Sequence, residues 1–233
     1  QVAIQLKCHN YNSTYVHRTF SFESVLTDAL MQIDEGMADT VLAGAIDEMT
    51  LNHLQITRRI GQWKQGPVNN LRLLESKTAG ALAGEGAGFF LLAATPSPST
   101  YCRIQDVAMG FNCNGSLDKG EFISRFLATN GLTHTDVDLL VLGMNGDSHY
   151  DLVYDRFAEQ FFPSAPRAWY KHLCGEYHTA SGFGVYVAGN ILKRQELPDV
   201  LCYGEARPDK LVNVLIYNQY QDVNHSFILL RKA

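Results

Sequence analysis

The sequence has few of the features that would announce a chemistry. Its five cysteines (Cys8, Cys102, Cys113, Cys174, Cys202) are an odd number, widely spread, with no Cys-x-x-Cys pair. That argues against a disulfide framework and against a zinc ribbon, and it fits a reducing, cytoplasmic setting. No run of about 18 apolar residues occurs, so no membrane span is expected. The longest dense apolar stretches, such as Phe89–Ala94, are strand-sized. Lys and Arg number 19 against 24 Asp and Glu, and this net charge of −5 leaves no basic footprint for nucleic acid. No Gly-x-Ser-x-Gly elbow is present. The chain opens Gln1-Val2-Ala3 with neither methionine nor a signal-peptide pattern, and it is expected to begin partway into a gene product.

What is present is globular. At 233 residues and 46 % apolar content, the chain has room for one large α/β domain or two small lobes. From Ser21 to Asp34 the residues Phe22, Val25, Leu26, Ala29, Leu30 and Ile33 recur at helical spacing, with Gly36 placed to stop the helix. Thr19 and Ser21 are candidate caps. Thr40–Ala45 reads as a buried strand, Met49–Lys77 as a polar irregular stretch, and Phe89–Ala93 as another strand. Residues 95–100, Thr-Pro-Ser-Pro-Ser-Thr, are the one linker-like segment. They divide the chain into 1–94 and 101–233. The second segment repeats the theme, with strands at Arg103–Met109, Leu139–Leu142, Val212–Tyr217 and Phe227–Leu230. Its helices fall at Lys119–Asn130, Leu152–Phe162 and Ser181–Lys193. Strands separated by helix-sized segments favour an α/β fold, mainly parallel, with helices on both sheet faces.

Residue chemistry alone declares no catalyst. Gly84, Gly86 and Gly88 precede a strand, whereas a dinucleotide fingerprint follows one and opens a helix. They read as a tight backbone approach at the start of the strand. Cys174, Glu176 and His178 lie close together, but no second ligand pair has recognisable spacing. Neither a metal nor another cofactor is called for. His149, between Asp147 and Asp151, reads as a solvated loop residue.

The order of the segments, however, resembles a β-ketoacyl synthase of the thiolase superfamily. The specific parts are ALMQIDEGMADTVLAGAIDE (29–48) and GEGAGFFLL (84–92). GLTHTDVDLLVLGMNGD (131–147) is similar to the segment delivering the family's first catalytic histidine. KHLCGEYHTASG (171–182) is similar to the one delivering its lysine and second histidine, and NQYQDVNHSFILLRK (218–232) to its closing hairpin. The resemblance implies a thiolase-like fold whose N-terminal part is missing. Residues 1–94 would be the remainder of the first half and 101–233 the second half.

Carried over by position, the resemblance puts Thr19 where the family has its nucleophilic cysteine. Asn145 and Glu176 stand for the two histidines, and Lys171 is retained. A helix dipole brings a thiol toward thiolate, but a threonine hydroxyl starts too weakly acidic to follow. An ionised glutamate repels a developing enolate, where a histidine would donate to it. A slip of a few residues would substitute His178 or His149, yet none supplies a cysteine. Gln221-Asp222-Val223 stands where the family's gate has glycines.

These substitutions are similar to those of chain-length factors, subunits that pair with an active ketosynthase in polyketide and aryl-polyene pathways. The resemblance implies an acyl carrier protein and an active ketosynthase as partners, in a heterodimer, or else a homodimer. It also implies a 3-oxoacyl synthase homologue inactive by itself. An active synthase with atypical residues, and a scaffold domain without an acyl role, remain open at this level.

Overall fold

The computed structural model describes residues 2–233. The first described element is a four-residue helix, α1 (Val2–Gln5). Then come α2 (Ser21–Asp34) and β1 (Thr40–Asp47). The link between them is a Schellman turn: Gly36 sits at φ +68, its N–H donates to Ile33 O, and Met37 N donates to Gln32 O. The expected caps are not used on α2. Phe20 occupies the N-cap, Ser21 Oγ accepts from His17 N, and Thr19 faces a different partner, described below.

Within the stretch read as irregular lies α3 (Leu51–Arg59), followed by a 3₁₀ segment, Asn70–Ser76. The Thr50 hydroxyl caps α3 by accepting from His53 N. The helix escapes a periodicity reading because its apolar residues form no buried stripe; Leu51, Ile56 and Ile60 are all exposed. β2 (Gly86–Ala93) pairs antiparallel with β1, Leu42 opposite Leu91. Residues 95–100 turn from β2 to β3 (Arg103–Phe111), and Lys193 Nζ holds them by bonding Pro98 O and Thr100 O.

The remainder is α4 (Lys119–Thr129), β4 (Leu139–Leu142), α5 (Asp151–Phe161), β5 (Arg167–Trp169), α6 (Lys171–Cys174), α7 (Ser181–Arg194), β6 (Asn213–Tyr220) and β7 (Asn224–Arg231). Five strands form one sheet in the order β3-β7-β6-β4-β5. It is mixed rather than mainly parallel. β4 runs parallel to β5 and β6, each reached through a helical connection, while β3–β7 and β6–β7 are antiparallel. The three-residue link Gln221–Val223 explains the last pairing, because a parallel neighbour needs a crossover of a dozen residues or more.

Helices cover both faces, which is why β4 and most of β6 are buried throughout and read as unbroken apolar runs. On one face Val214 and Ile216 meet Phe22, Leu26 and Ala29 of α2 and Val185, Ala188 and Ile191 of α7. On the other, Leu215 and Tyr217 meet Ile123 and Phe126 of α4 and Phe157 of α5. The β1–β2 ribbon packs Ala43, Val41 and Phe90 on the far side of α2 and α7, so these helices lie between two sheets.

Within the glycine cluster, Gly84 makes a close backbone approach. A Cβ on Gly84 would run into Cys174 O and stand 2.8 Å from Gly175 Cα, and Gly175 itself sits at φ +75. Ala83 and Glu176 bridge there, with Glu176 N donating to Leu82 O and Gly84 N donating to Glu176 O. Gly84→Ala is therefore expected to cost about 1–3 kcal/mol, read as a drop in Tm of several degrees. An unchanged Tm would show that the two segments can separate freely.

Candidate functional site

Two loops and the helix start after β5 meet beside this approach. Lys171, at the first position of α6, is 2 % exposed, and Glu176 is 8 % exposed. The Lys171 ammonium donates to both carboxylate oxygens of Glu176, at 3.0 and 2.8 Å. Asn145, in the loop after β4, donates from Nδ2 to Glu176 Oε2 at 2.5 Å. Lys171, Glu176 and Asn145 thus form one hydrogen-bonded cluster, joining residues expected to share a site. Glu176, rather than His178, makes these bonds.

The Asn145 loop has its own support. Asp151, at the start of α5, accepts from Asn145 N at 3.0 Å and Gly146 N at 2.8 Å. Lys64 Nζ bonds Gly146 O and Thr78 O, and Asp147 accepts from Gly80 N and His149 N. Burial pushes the Asp151 carboxyl up to about 7, against the pull of the two backbone N–H groups. The sequence places Asp151 only as a neighbour of His149; its role in shaping the loop is visible in the fold alone.

Thr19 does not join the cluster. It lies in the 3₁₀ turn leading into α2, 4 % exposed, and its Oγ1 accepts from Asn224 Nδ2 at 2.7 Å. One turn on, Glu23 is fully buried, accepts from Ser226 Oγ at 2.8 Å, and is pushed toward its neutral acid by that burial. Sequence reasoning missed Glu23, though a carboxylate next to Phe22 and one turn before Leu26 was a signal. The Gln221–Val223 turn keeps a glycine-like backbone without glycine. Gln221 and Asp222 sit at φ 54 and 55, a conformation that disfavours side chains. Asn112 Nδ2 donates to Asp222 O and Lys119 pairs with the Asp222 carboxylate, so the turn is held from outside.

A cavity of about 520 Å³ opens over the cluster, with Asn145, Glu176, Tyr177, His178, Gln219 and Tyr220 in its wall. His178 stands edge-on to His53 (ring centroids 6.4 Å apart) and to Tyr220 (5.8 Å). Burial lowers its pKa and favours the neutral ring. His149 is exposed, against Tyr150. Among the described residues, no serine, threonine or cysteine lines the cavity. Nearby Cys174 is held as a thiol, pushed up to about 12 by burial. The lining of the cavity among the described residues is thus without the hydroxyl of serine or threonine and without the thiol of cysteine.

No protein-family model and no curated protein matches the sequence. Solved structures do match the fold. A type II polyketide synthase acyl carrier protein in complex with its ketosynthase bound to the hexaketide (AntDE:AntF) superposes with TM-score 0.82. That match has 16 % identity and covers 100 % of this chain and 65 % of that one. This chain has the thiolase-like ketosynthase fold. The ishigamide ketosynthase/chain length factor superposes with TM-score 0.80 at 16 % identity, covering 100 % and 64 %. The ketosynthase ApeO in complex with its chain length factor ApeC, from Xenorhabdus doucetiae, gives 0.77 at 16 %, covering 100 % and 63 %. The chain therefore spans just under two thirds of the length of these ketosynthase-fold proteins. Among the described residues no helix is long and apolar enough to cross a membrane.

Two stability measurements check this geometry. Lys171→Met leaves a buried carboxylate without its cation and is expected to cost about 3–5 kcal/mol, whereas Lys171→Met with Glu176→Leu should recover most of it. Urea midpoints of the two variants decide this; equal losses would show that the pair is not coupled.

Asp151 makes a pH prediction. Its folded value lies above the unfolded value of about 3.9, so the folded state binds the extra proton between them. Its contribution is fully present below about pH 4 and is lost as pH rises through about 7. His178 and His172, both lowered by burial, act in the opposite direction, but they are common to wild type and Asp151→Asn. From about pH 5 to about 7.5, Tm should fall less, or rise more, in Asp151→Asn than in wild type. Identical profiles would contradict the assignment.

Proposed function

We propose that this chain is a ketosynthase-like, non-condensing subunit of the chain-length-factor type. It would work with an active β-ketoacyl synthase and an acyl carrier protein in fatty-acid, polyketide or aryl-polyene biosynthesis. The observation that carries the reading is the Glu176 carboxylate bonded to Lys171 and Asn145 beneath the cavity. Condensation generates an enolate, and donors aimed at that oxygen stabilise it; a carboxylate opposes it. Thr19, in the nucleophile position by resemblance, is buried and engaged with Asn224, and a hydroxyl without an adjacent base is a poor nucleophile.

On this reading residues 1–94 and 101–233 correspond to the remainder of the N-terminal half and to the C-terminal half of a ketosynthase, joined by 95–100. Pairing would use the β1–β2 ribbon. β1 lies at the ribbon's edge, and the outward face carries the exposed Leu42, Ile46, Phe89 and Leu91. Exposed strand edges and apolar faces are liabilities that a partner removes.

Activity assays with acyl and malonyl thioesters should show no carbon–carbon bond formation by the chain alone, and co-expression with a ketosynthase should yield a stable complex. Thr19→Cys, Asn145→His and Glu176→His should each fail singly. Each such group contributes roughly 10²–10⁴-fold, and the groups act as a unit. Condensation by the unaltered chain would overturn the reading. So would a strictly monomeric mass with every ketosynthase offered.

A further inference from the structure

The wall of the cavity has a sign. Four carboxylates line it, Asp47, Glu48, Asp147 and Glu176, and among the described residues no lysine or arginine does. Two ammonium groups lie just outside the lining, and both are occupied. Lys171 is spent on Glu176, and Lys64 on the carbonyls of Thr78 and Gly146. Arg18, exposed to solvent, is close enough to act on His178 and Tyr220, and Arg58 and Arg59 directly precede the lining residue Ile60 in sequence. The three lining histidines do not offset the carboxylates unless they are protonated.

The same wall carries four aromatic rings, Trp63, Tyr150, Tyr177 and Tyr220, each half-buried. Their placement is independent of the charge. Trp63 is oriented by its indole N–H, which donates to Thr57 Oγ1 at 2.6 Å, and Gln62 Nε2 donates to the Tyr220 hydroxyl. Ring faces attract cations, and a partly desolvated cavity strengthens that attraction. About 520 Å³ is within the range of small-ligand sites, far above a single ion.

We propose that this cavity binds an organic ammonium, a protonated or quaternary amine on a short apolar stem, and rejects carboxylate-ended molecules of the same size. The ammonium lies among the aromatic rings near Glu48 and Asp47, with the stem running toward Ala79 and Ala81. Asp47 is already tied to Thr179 N and Oγ1, so its charge contributes but its geometry is fixed. Glu48 is exposed and is the carboxylate freest to adjust. The inference rests on the cavity wall and not on pairing with a ketosynthase.

Calorimetric titration with hexyltrimethylammonium, hexanoate and hexanol, at low and high salt, tests it without any carrier protein or partner. Hexyltrimethylammonium should bind saturably and at least about tenfold more tightly than hexanoate or hexanol, with the advantage shrinking at high salt. Glu48→Lys, a surface change expected to leave Tm unaltered, should weaken it by about tenfold. Trp63→Leu should also weaken it, and its fold is checked by circular dichroism. Equal binding of the three probes, preference for hexanoate, absence of binding, or an unchanged affinity in Glu48→Lys would each overturn the proposal. None of these outcomes bears on complex formation with a ketosynthase, and failure of that complex would leave the amine result standing.

Discussion

The buried ion pair between Lys171 and Glu176 is the interaction around which the site is arranged. Taking both charges out of water is costly, and the geometry repays this only if the remaining lone pairs and protons are used. Here both Glu176 oxygens face one ammonium, and Asn145 supplies a further donor. That arrangement requires Glu176 to sit beside the Gly84 strand, which in turn requires the side-chain-free approach of Gly84 to Gly175. Asn145 arrives on the loop after β4, and Asp151 clamps that loop by accepting from two backbone N–H groups. A glycine contact, an ion pair and a loop clamp are therefore one structural unit.

That unit is mounted on a rigid frame. β4 and β5 lie side by side at one end of a sheet whose central strands are covered by helices on both faces, so the loops leaving them are fixed by well-packed neighbours. α2 and α7 serve two sheets at once, packing on β6 and β7 on one side and the β1–β2 ribbon on the other. The ribbon itself is the least covered part. Its inward residues, Val41, Ala43, Phe90 and Leu92, join the core, while Leu42, Ile46, Phe89 and Leu91 face outward. Contiguous exposed apolar residues of this kind are unusual on a free surface.

The cavity and the strand-edge ribbon are surfaces of different character. One is small, aromatic-walled and negative; the other is flat and apolar. In the hairpin turn beside the cavity, Gln221 and Asp222 hold a left-handed backbone, and external bonds from Asn112 and Lys119 maintain it.

The sequence by itself determined the elements whose burial imposes a period. α2 was legible from Phe22, Leu26 and Ala29, its end from Gly36, and β4 from four consecutive apolar residues, because one-sided or full burial leaves a pattern along the chain. It also determined that Gly84 marks a close approach, and that no cysteine stands near Thr19. The structure alone decided what depends on contacts between distant residues. The sheet became mixed because a short hairpin reverses β7. α3 formed on a local cap without an apolar stripe. Glu176 was joined to Asn145 across 31 positions, and Asp151 and Glu23 acquired their environments from segments remote in sequence. Charge and hydrogen-bonding capacity are written residue by residue, but desolvation and partnership exist only once the chain has brought those residues together.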